Sequence, residues 1–170
     1  MNTRHPVATT RPPLPHHRQH PPQPAIVRPS PLPNPLHAAP GILRDLAILA
    51  VDDDPDMLAL TGMVFDAYGA RVTGVLSAES ALTALRQMPV DAPYGLLLSD
   101  IGLPGMDGYE FLENVRHRLN IAPRRLPAIA ITAYARAEDR AMAMQAGFQA
   151  HLPKPYEADQ LVATALRLLA

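Results

Sequence analysis

Acidic, hydroxyl and amine side chains stand directly after short apolar segments of this 170-residue chain. In chain order they are Asp52, Asp53 and Asp54, then Ser99 and Asp100, then Thr132, and last Lys154, the only lysine beside 14 arginines. Clustered carboxylates repel one another, which disfavours their charged forms unless a cation neutralises them. Oxygen ligands without histidine or cysteine favour a hard ion such as Mg²⁺. If these side chains meet in the fold, the pattern predicts a magnesium site.

The same residues suit phosphoryl chemistry. A carboxylate beside Mg²⁺ can attack a phosphoryl group and form an acyl phosphate. The metal, the ammonium of Lys154 and the hydroxyl of Thr132 would then hold the three phosphoryl oxygens. The structural alternative is that Asp100 only pairs with Lys154 inside the fold, because buried acids need partners. Such a pair would not require Asp52, Asp53 and Thr132 at the same place.

Apolar segments and helical periodicity alternate from residue 41 onward, which predicts a β/α domain. The predicted strands are 47–51, 71–75, 96–98, 128–131 and 149–152. The first, third and fourth are continuously apolar, as in strands covered on both faces, whereas the mixed second and fifth suit edge strands. Right-handed crossovers then give an open parallel sheet with helices on both faces. Ligands of such sheets lie beyond the carboxyl ends of the strands, where the residues above converge.

Helical stripes and end signals define the connections between the strands. The predicted apolar stripes are 60, 63, 64, 67 and 68, then 78, 81, 82 and 85, then 137, 141 and 144, and finally 161, 162, 165, 166 and 169. Asp54, Ser77 and Asp107 are predicted to cap the first three helices, and Gly147 to end the fourth. Met142 and Met144 are expected to pack in the core.

The first 40 residues have a different composition from the rest. They hold 12 of the 20 prolines, five of the seven histidines and four arginines, but no acid and no aromatic residue. Such a segment cannot bury enough apolar surface to offset its ordering entropy, which predicts a disordered arm over 1–40 and a globular domain over 41–170. A proline-rich ligand at 11–15 and a metal site at His16, His17 and His20 are the alternatives to a solvated tail.

Composition excludes several other classes of protein. The chain has no cysteine, so disulfides, thiol nucleophiles and cysteine-ligated metals are excluded. It has no run of 18 apolar residues and no apolar stretch behind its basic N-terminus, so we expect no membrane span, no secretory signal and a cytoplasmic location. Residues 41–170 carry 11 basic residues and all 16 acids, a formal charge of −5 that disfavours nucleic-acid binding.

At these motifs the sequence resembles the receiver domain of bacterial two-component response regulators. The matching stretches are ILAVDDDPDML (48–58), LLLSDIGLPGMDGYEFL (96–112), AIAITAYA (128–135) and AGFQAHLPKP (146–155). They occur in order and at the predicted strand ends, so together they are highly specific. The resemblance implies a flavodoxin-like (βα)5 fold, doubly wound, with strand order 2-1-3-4-5. It also implies a signalling phosphoacceptor rather than a turnover enzyme.

The resemblance implies a role for each matching residue. Asp100 would accept a phosphoryl group from a phosphohistidine on a sensor histidine kinase or phosphotransfer protein. Asp53, Asp100 and the backbone carbonyl of Gly102 would ligate Mg²⁺ directly, and Asp52 would act through water. Thr132 and Lys154 would bind the phosphoryl group. The bond from Lys154 to Pro155 would be cis and would position the lysine.

A two-state switch is also implied by the resemblance. Phosphorylation would draw Thr132 inward, and a side chain on the fifth strand would turn into the vacated space. That side chain is aromatic in many relatives but is His151 here, as in receivers attached to hybrid histidine kinases. A downstream protein would bind the face formed by the fourth helix, fifth strand and fifth helix. The chain would be a stand-alone regulator, a phosphotransfer intermediate or a piece of a hybrid kinase.

Two other functions compete with this reading. A haloacid-dehalogenase-type phosphohydrolase also uses an aspartyl phosphate, but it needs an Asp-x-Asp-x-Thr pattern after the first strand. Here the last position is Asp56 counted from Asp52, or Leu58 counted from Asp54, and the fourth strand ends in Thr132 instead of an acid. The second competitor is a pseudo-receiver that binds partners without phosphorylation. The presence of all the expected chemical residues argues against it.

Overall fold

A computed structural model of the chain describes residues 41–91, 93–133 and 136–170. Strands and helices alternate through this part of the chain. The strands are β1 (Ala47–Val51), β2 (Arg71–Val75), β3 (Leu96–Asp100), β4 (Ala128–Thr132) and β5 (Ala150–Pro153), and the α-helices are α1 (Pro55–Asp66), α2 (Ala78–Arg86), α3 (Gly108–Glu113), α4 (Ala137–Ala146) and α5 (Ala158–Leu169). The predicted arm over 1–40 lies outside the described residues, so its boundary stays a prediction.

The five strands form one parallel sheet in the order β2-β1-β3-β4-β5. This confirms the flavodoxin-like fold and the placement of the second and fifth strands at the edges. β3 and β4 are longer than predicted, since Asp100 pairs in register with Ile131 and Thr132 with Pro153. Apolar periodicity misses these residues because each strand ends on a polar side chain.

The sheet separates two buried apolar clusters. Leu97 on β3 and Phe111 on α3 belong to the cluster that also contains side chains of α2 and α4. Leu98, the next residue on β3, belongs to the opposite cluster with Phe65 of α1 and Leu161 of α5. Successive side chains on a strand point to opposite faces, so both faces of β3 are apolar and covered. Helices packed on both faces hold the strands in place, and this fixes the position of the polar residues at the carboxyl ends of the strands.

The predicted stripe of α1 is wrong in part. Leu60 and Met63 are exposed, at 47% and 66% of their surface, whereas Thr61 and Phe65 are buried. The side chain of this buried threonine lies near the hydroxyl of Tyr156, whose pKa it lowers against the larger effect of burial. The apolar pattern selected the neighbouring face of the helix because it counts every threonine as polar.

The predicted contacts of α4 are also wrong. Ala143 is buried on this helix, while Ala137, Ala141, Met142 and Met144 are exposed. A helix rich in alanine gives little contrast between faces, so its periodicity does not identify the buried one. Its end is as predicted, since Gly147 closes it in the left-handed conformation with φ 102°.

The caps follow the sequence signals, with one addition after α3. Asp54, Ser77 and Asp107 accept backbone hydrogen bonds at the starts of α1, α2 and α3, as predicted. A π-helical turn, Asn114–Arg118, continues α3 and was not predicted. No helix in the described ranges is long and apolar enough to cross a bilayer.

Gly108 lies where the chain turns back from β3 into α3, and substitution of this glycine tests the packing of the turn. A Cβ atom there would meet the backbone oxygen of Asp100 and would come 2.8 Å from the Cα atom of Ile101. We expect Gly108→Ala to lower the free energy of unfolding by about 1–3 kcal/mol, because the added carbon overpacks a buried turn.

Gly62, inside α1, provides the matched control. A Cβ atom at this position would meet nothing within 4 Å. We expect Gly62→Ala to raise the free energy of unfolding by about 0.5–1 kcal/mol, because alanine restricts the unfolded chain and favours helix. Urea unfolding of both variants measures the difference. Equal stability of Gly108→Ala and wild type would contradict the described packing.

Candidate functional site

Four strand ends bring the predicted polar residues to one edge of the sheet. Asp52 directly follows β1, Asp100 ends β3, Thr132 ends β4 and Lys154 directly follows β5. β1, β3, β4 and β5 are consecutive neighbours in the sheet. Parallel strands share a carboxyl edge, so residues up to 102 positions apart in the sequence come into contact there.

The carboxylates of Asp52 and Asp100 are held in the same way. One oxygen of each accepts a backbone N–H two residues later: Asp54 N lies 3.0 Å from Asp52 Oδ1, and Gly102 N lies 2.9 Å from Asp100 Oδ1. The other oxygen of each accepts from Lys154, whose Nζ lies 3.0 Å from Asp52 Oδ2 and 2.6 Å from Asp100 Oδ2. One ammonium therefore bridges two nearly buried carboxylates and fixes their spacing.

Lys154 is restrained by its backbone as well as by its side chain. Its N–H donates to the carbonyl of Thr132 at 2.6 Å, and its bond to Pro155 is cis, as expected. Burial by itself would lower the pKa of Lys154, but the hydrogen bonds and charges of Asp100 and Asp52 outweigh it and raise the pKa. The lysine is therefore a permanent cation at neutral pH.

Asp53 completes an acidic cluster. Asp52, Asp53 and Asp100 each offer a carboxylate oxygen, and these oxygens lie within 4.8 Å of one another. Asp53 is exposed, whereas the other two are buried, so the cluster opens to solvent on the side of Asp53. With Lys154 included, the formal charge of the group is −2. A divalent hard cation would cancel this charge, and the all-oxygen donor set fits Mg²⁺.

The other predicted site residues differ in their exposure to solvent. Thr132 is fully buried, and its backbone binds Lys154. Gly102 is exposed and contacts the cluster through its N–H. His151 pairs in register with Ala130, so its side chain lies on the same sheet face as that of Thr132.

Asp54 and Asp56 lie outside the acidic cluster. The side chain of Asp54 caps α1 by accepting from Asp56 N at 2.9 Å. Asp56 is exposed in the first helical turn, where the helix dipole favours an acid. Asp54 therefore has the predicted capping role, and the charge of Asp56 is favoured by the N-terminal end of α1.

Sequence reasoning missed an interaction that joins α1 to the segment after Lys154. The Thr61 side chain lies close enough to the Tyr156 hydroxyl to lower its pKa, and the Tyr156 ring packs against the α1–α5 side of the core. Burial raises the pKa of Tyr156, which keeps the phenol neutral. The position of Tyr156 after Lys154-Pro155 was the only sequence signal, because the pairing with Thr61 depends on the tertiary fold.

Comparison with known proteins is consistent with this architecture. The family model of the response regulator receiver domain matches residues 48–166. An uncharacterized 14.6 kDa protein of Leptolyngbya boryana is 42% identical over 123 residues, which are 71% of this chain and 87% of that protein. A CheY-like response regulator receiver domain protein from Methanospirillum hungatei has a TM-score of 0.63 and 28% identity, covering 73% of this chain and 93% of that one.

The predicted likeness to receivers of histidine kinases is also confirmed. The sensor histidine kinase GacS of Pseudomonas protegens is 33% identical over 121 residues, which are 71% of this chain. The match spans only 13% of that kinase. The extent of the family match, the strand order and the relatives agree. The chain therefore belongs to the response regulator receiver domain family.

Proposed function

We propose that this domain accepts a phosphoryl group on Asp100 from a phosphohistidine of a sensor histidine kinase or phosphotransfer protein. The supporting observation is the placement of Asp100 at the end of β3, with Asp52, Asp53 and Lys154 around its carboxylate. A structural ion pair would need one acid and one cation. Three carboxylates around one ammonium form an arrangement that stabilises the fold poorly and suits an additional cation and a phosphoryl group.

The transfer exchanges one bond to phosphorus for another. A carboxylate oxygen of Asp100 forms the new P–O bond while the P–N bond of the donor phosphohistidine breaks. The electron pair of that bond returns to the donor imidazole, and the product is an aspartyl phosphate. Lys154 gives up its bond to the attacking carboxylate and turns to a phosphoryl oxygen, and the Thr132 hydroxyl binds another.

Mg²⁺ is the cofactor that we propose for this step. Asp53, Asp100 and the carbonyl of Gly102 would hold it directly, and Asp52 would hold it through water. When bound, the ion neutralises negative charge that would otherwise repel the incoming phosphoryl group. The exposure of Asp53 and Gly102 supports this assignment, because it leaves the cluster open to the ion.

The proposal also includes a conformational switch that follows phosphorylation of Asp100. The Thr132 hydroxyl moves towards the phosphoryl group, and His151, on the same sheet face, responds to the space that it leaves. The readout is binding of a downstream protein to the face formed by α4, β5 and α5. A cytoplasmic location is part of the same proposal. The chain acts alone, as a phosphotransfer intermediate, or as a piece of a hybrid kinase.

Asp100→Asn should abolish labelling by acetyl phosphate with Mg²⁺, because the amide lacks the nucleophilic carboxylate oxygen. Intact-mass spectrometry measures the added phosphoryl group. Asp56→Asn is the control, since Asp56 is an exposed acid in α1 outside the cluster. This control should be labelled as fully as wild type. Full labelling of Asp100→Asn would contradict the assignment, and turnover of many phosphate equivalents by wild type would favour a phosphohydrolase.

Lys154→Ala should still be labelled but should show a weaker conformational response, because the phosphoryl group loses its ammonium contact. The change in the amide NMR shifts of α4 and β5 on phosphorylation measures this response. Arg124→Ala removes an exposed cation from a loop and serves as the control. A response as large as that of wild type would refute the proposed role of the lysine.

A further inference from the structure

A polar cleft lies where the free edge of the sheet passes between two helices. Its volume is about 390 Å³, and β5 forms its floor with Ala150 and His151. Arg140 of α4 lines it from one side and Arg167 of α5 from the other. The described residues that line this cleft include two guanidinium groups and an imidazole but no acid.

Neither guanidinium in the cleft has a counter-charge. Both ion pairs among the described residues involve Lys154, so Arg140 and Arg167 pair with no carboxylate there. Arg167 is oriented by Thr164, whose Oγ1 lies 3.5 Å from Nη2 and itself donates to Gln160 O at 2.7 Å. Both arginines are exposed, so solvent partly screens their charges, and an anion placed between them would interact with both.

His151 adds an independent observation. Its Nε2 is buried and has no hydrogen-bond partner, unlike every other buried side-chain nitrogen or oxygen of the described ranges. A buried polar atom without a partner costs free energy, which His151 would recover by turning its side chain outward to a ligand in the cleft. Gln149 also lines the cleft, but its side-chain amide already makes hydrogen bonds within the protein. It accepts from Ala128 N at 2.9 Å and donates to Gly147 O at 2.6 Å.

We propose that this cleft binds carboxylate side chains of an acidic segment on a partner protein. Arg140 and Arg167 would each donate to a carboxylate, a pairing for which the planar guanidinium is well suited. After an outward turn of its side chain, the Nε2 of His151 would donate to a carboxylate or a backbone carbonyl of the segment. Identification of this partner with the downstream target rests on the proposed function, but the binding chemistry does not.

The counter-charge has to come from another molecule or from elsewhere in the globular part. Residues 1–40 contain no acid, so the N-terminal arm cannot supply carboxylates. The position of His151 also connects the cleft with Thr132, because both side chains lie on the same face of the sheet. Through the switch proposed above, a partner that holds His151 would bias the position of Thr132, and phosphorylation would bias the affinity for the partner in return.

A fluorescent glutamate-only peptide, titrated into the full chain without phosphodonor, tests the chemistry of the cleft. We compare Arg140→Gln/Arg167→Gln with Arg71→Gln/Arg86→Gln, a control that removes two exposed arginines on β2 and α2. Both variants have the same net charge, so non-specific attraction is equal. We expect the cleft variant to lose about tenfold in affinity and the control to match wild type, because only the first breaks direct charge pairs.

NMR titration with the same peptide locates the contact, with perturbed amides expected at His151, Thr164 and Arg167. Equal losses in both variants, no saturable binding, or perturbation elsewhere would overturn the proposal. Self-association that is lost only in the cleft variant would identify a second copy of the chain as the occupant and would overturn a separate partner. Because no phosphodonor is present, these outcomes do not depend on whether Asp100 is phosphorylated.

Discussion

The contact of one ammonium with two carboxylates is the interaction on which the site depends. Lys154 reaches Asp52 and Asp100 at once, at 3.0 and 2.6 Å, and thereby connects the end of β5 to the ends of β1 and β3. Without a cation the two nearly buried acids would repel each other across the sheet edge. With only one ammonium, and with Asp53 close by, the cluster still has an excess of negative charge. The ammonium therefore holds the two carboxylates together, but the cluster keeps a net negative charge that can bind a further cation.

The parallel sheet makes this arrangement possible because the residues that stabilise the fold and the residues of the site lie in different parts of it. Both faces of β1, β3 and β4 are covered by apolar clusters, which hold the strands without any help from polar residues. The polar residues are confined to the carboxyl ends, where the ladder stops and the chain turns into a loop. Gly108 illustrates how tightly that turn is packed, since a methyl group at this position would strike the backbone of Asp100.

Much of the fold and of the site could be predicted, because the strongest signals in this chain are local. Continuous apolar segments identified the buried strands, and Asp54 and Asp107 identified helix starts. The carboxyl-end rule then predicted that Asp52, Asp100 and Lys154 would meet. The failures required tertiary information. The buried face of α1 contains the polar Thr61 beside Phe65, and the alanines of α4 gave no contrast between its faces. The unpartnered Nε2 of His151 has no sequence signal at all.

Binding of a divalent ion tests the central claim most directly, because the excess negative charge of the cluster is its physical basis. Mn²⁺ is a suitable paramagnetic substitute for Mg²⁺, and it broadens the NMR signals of nearby amides. The account predicts saturable binding, competed by Mg²⁺, with broadening centred on Asp53, Asp100 and Gly102. Broadening spread over the exposed acids of the surface, or no competition by Mg²⁺, would contradict it.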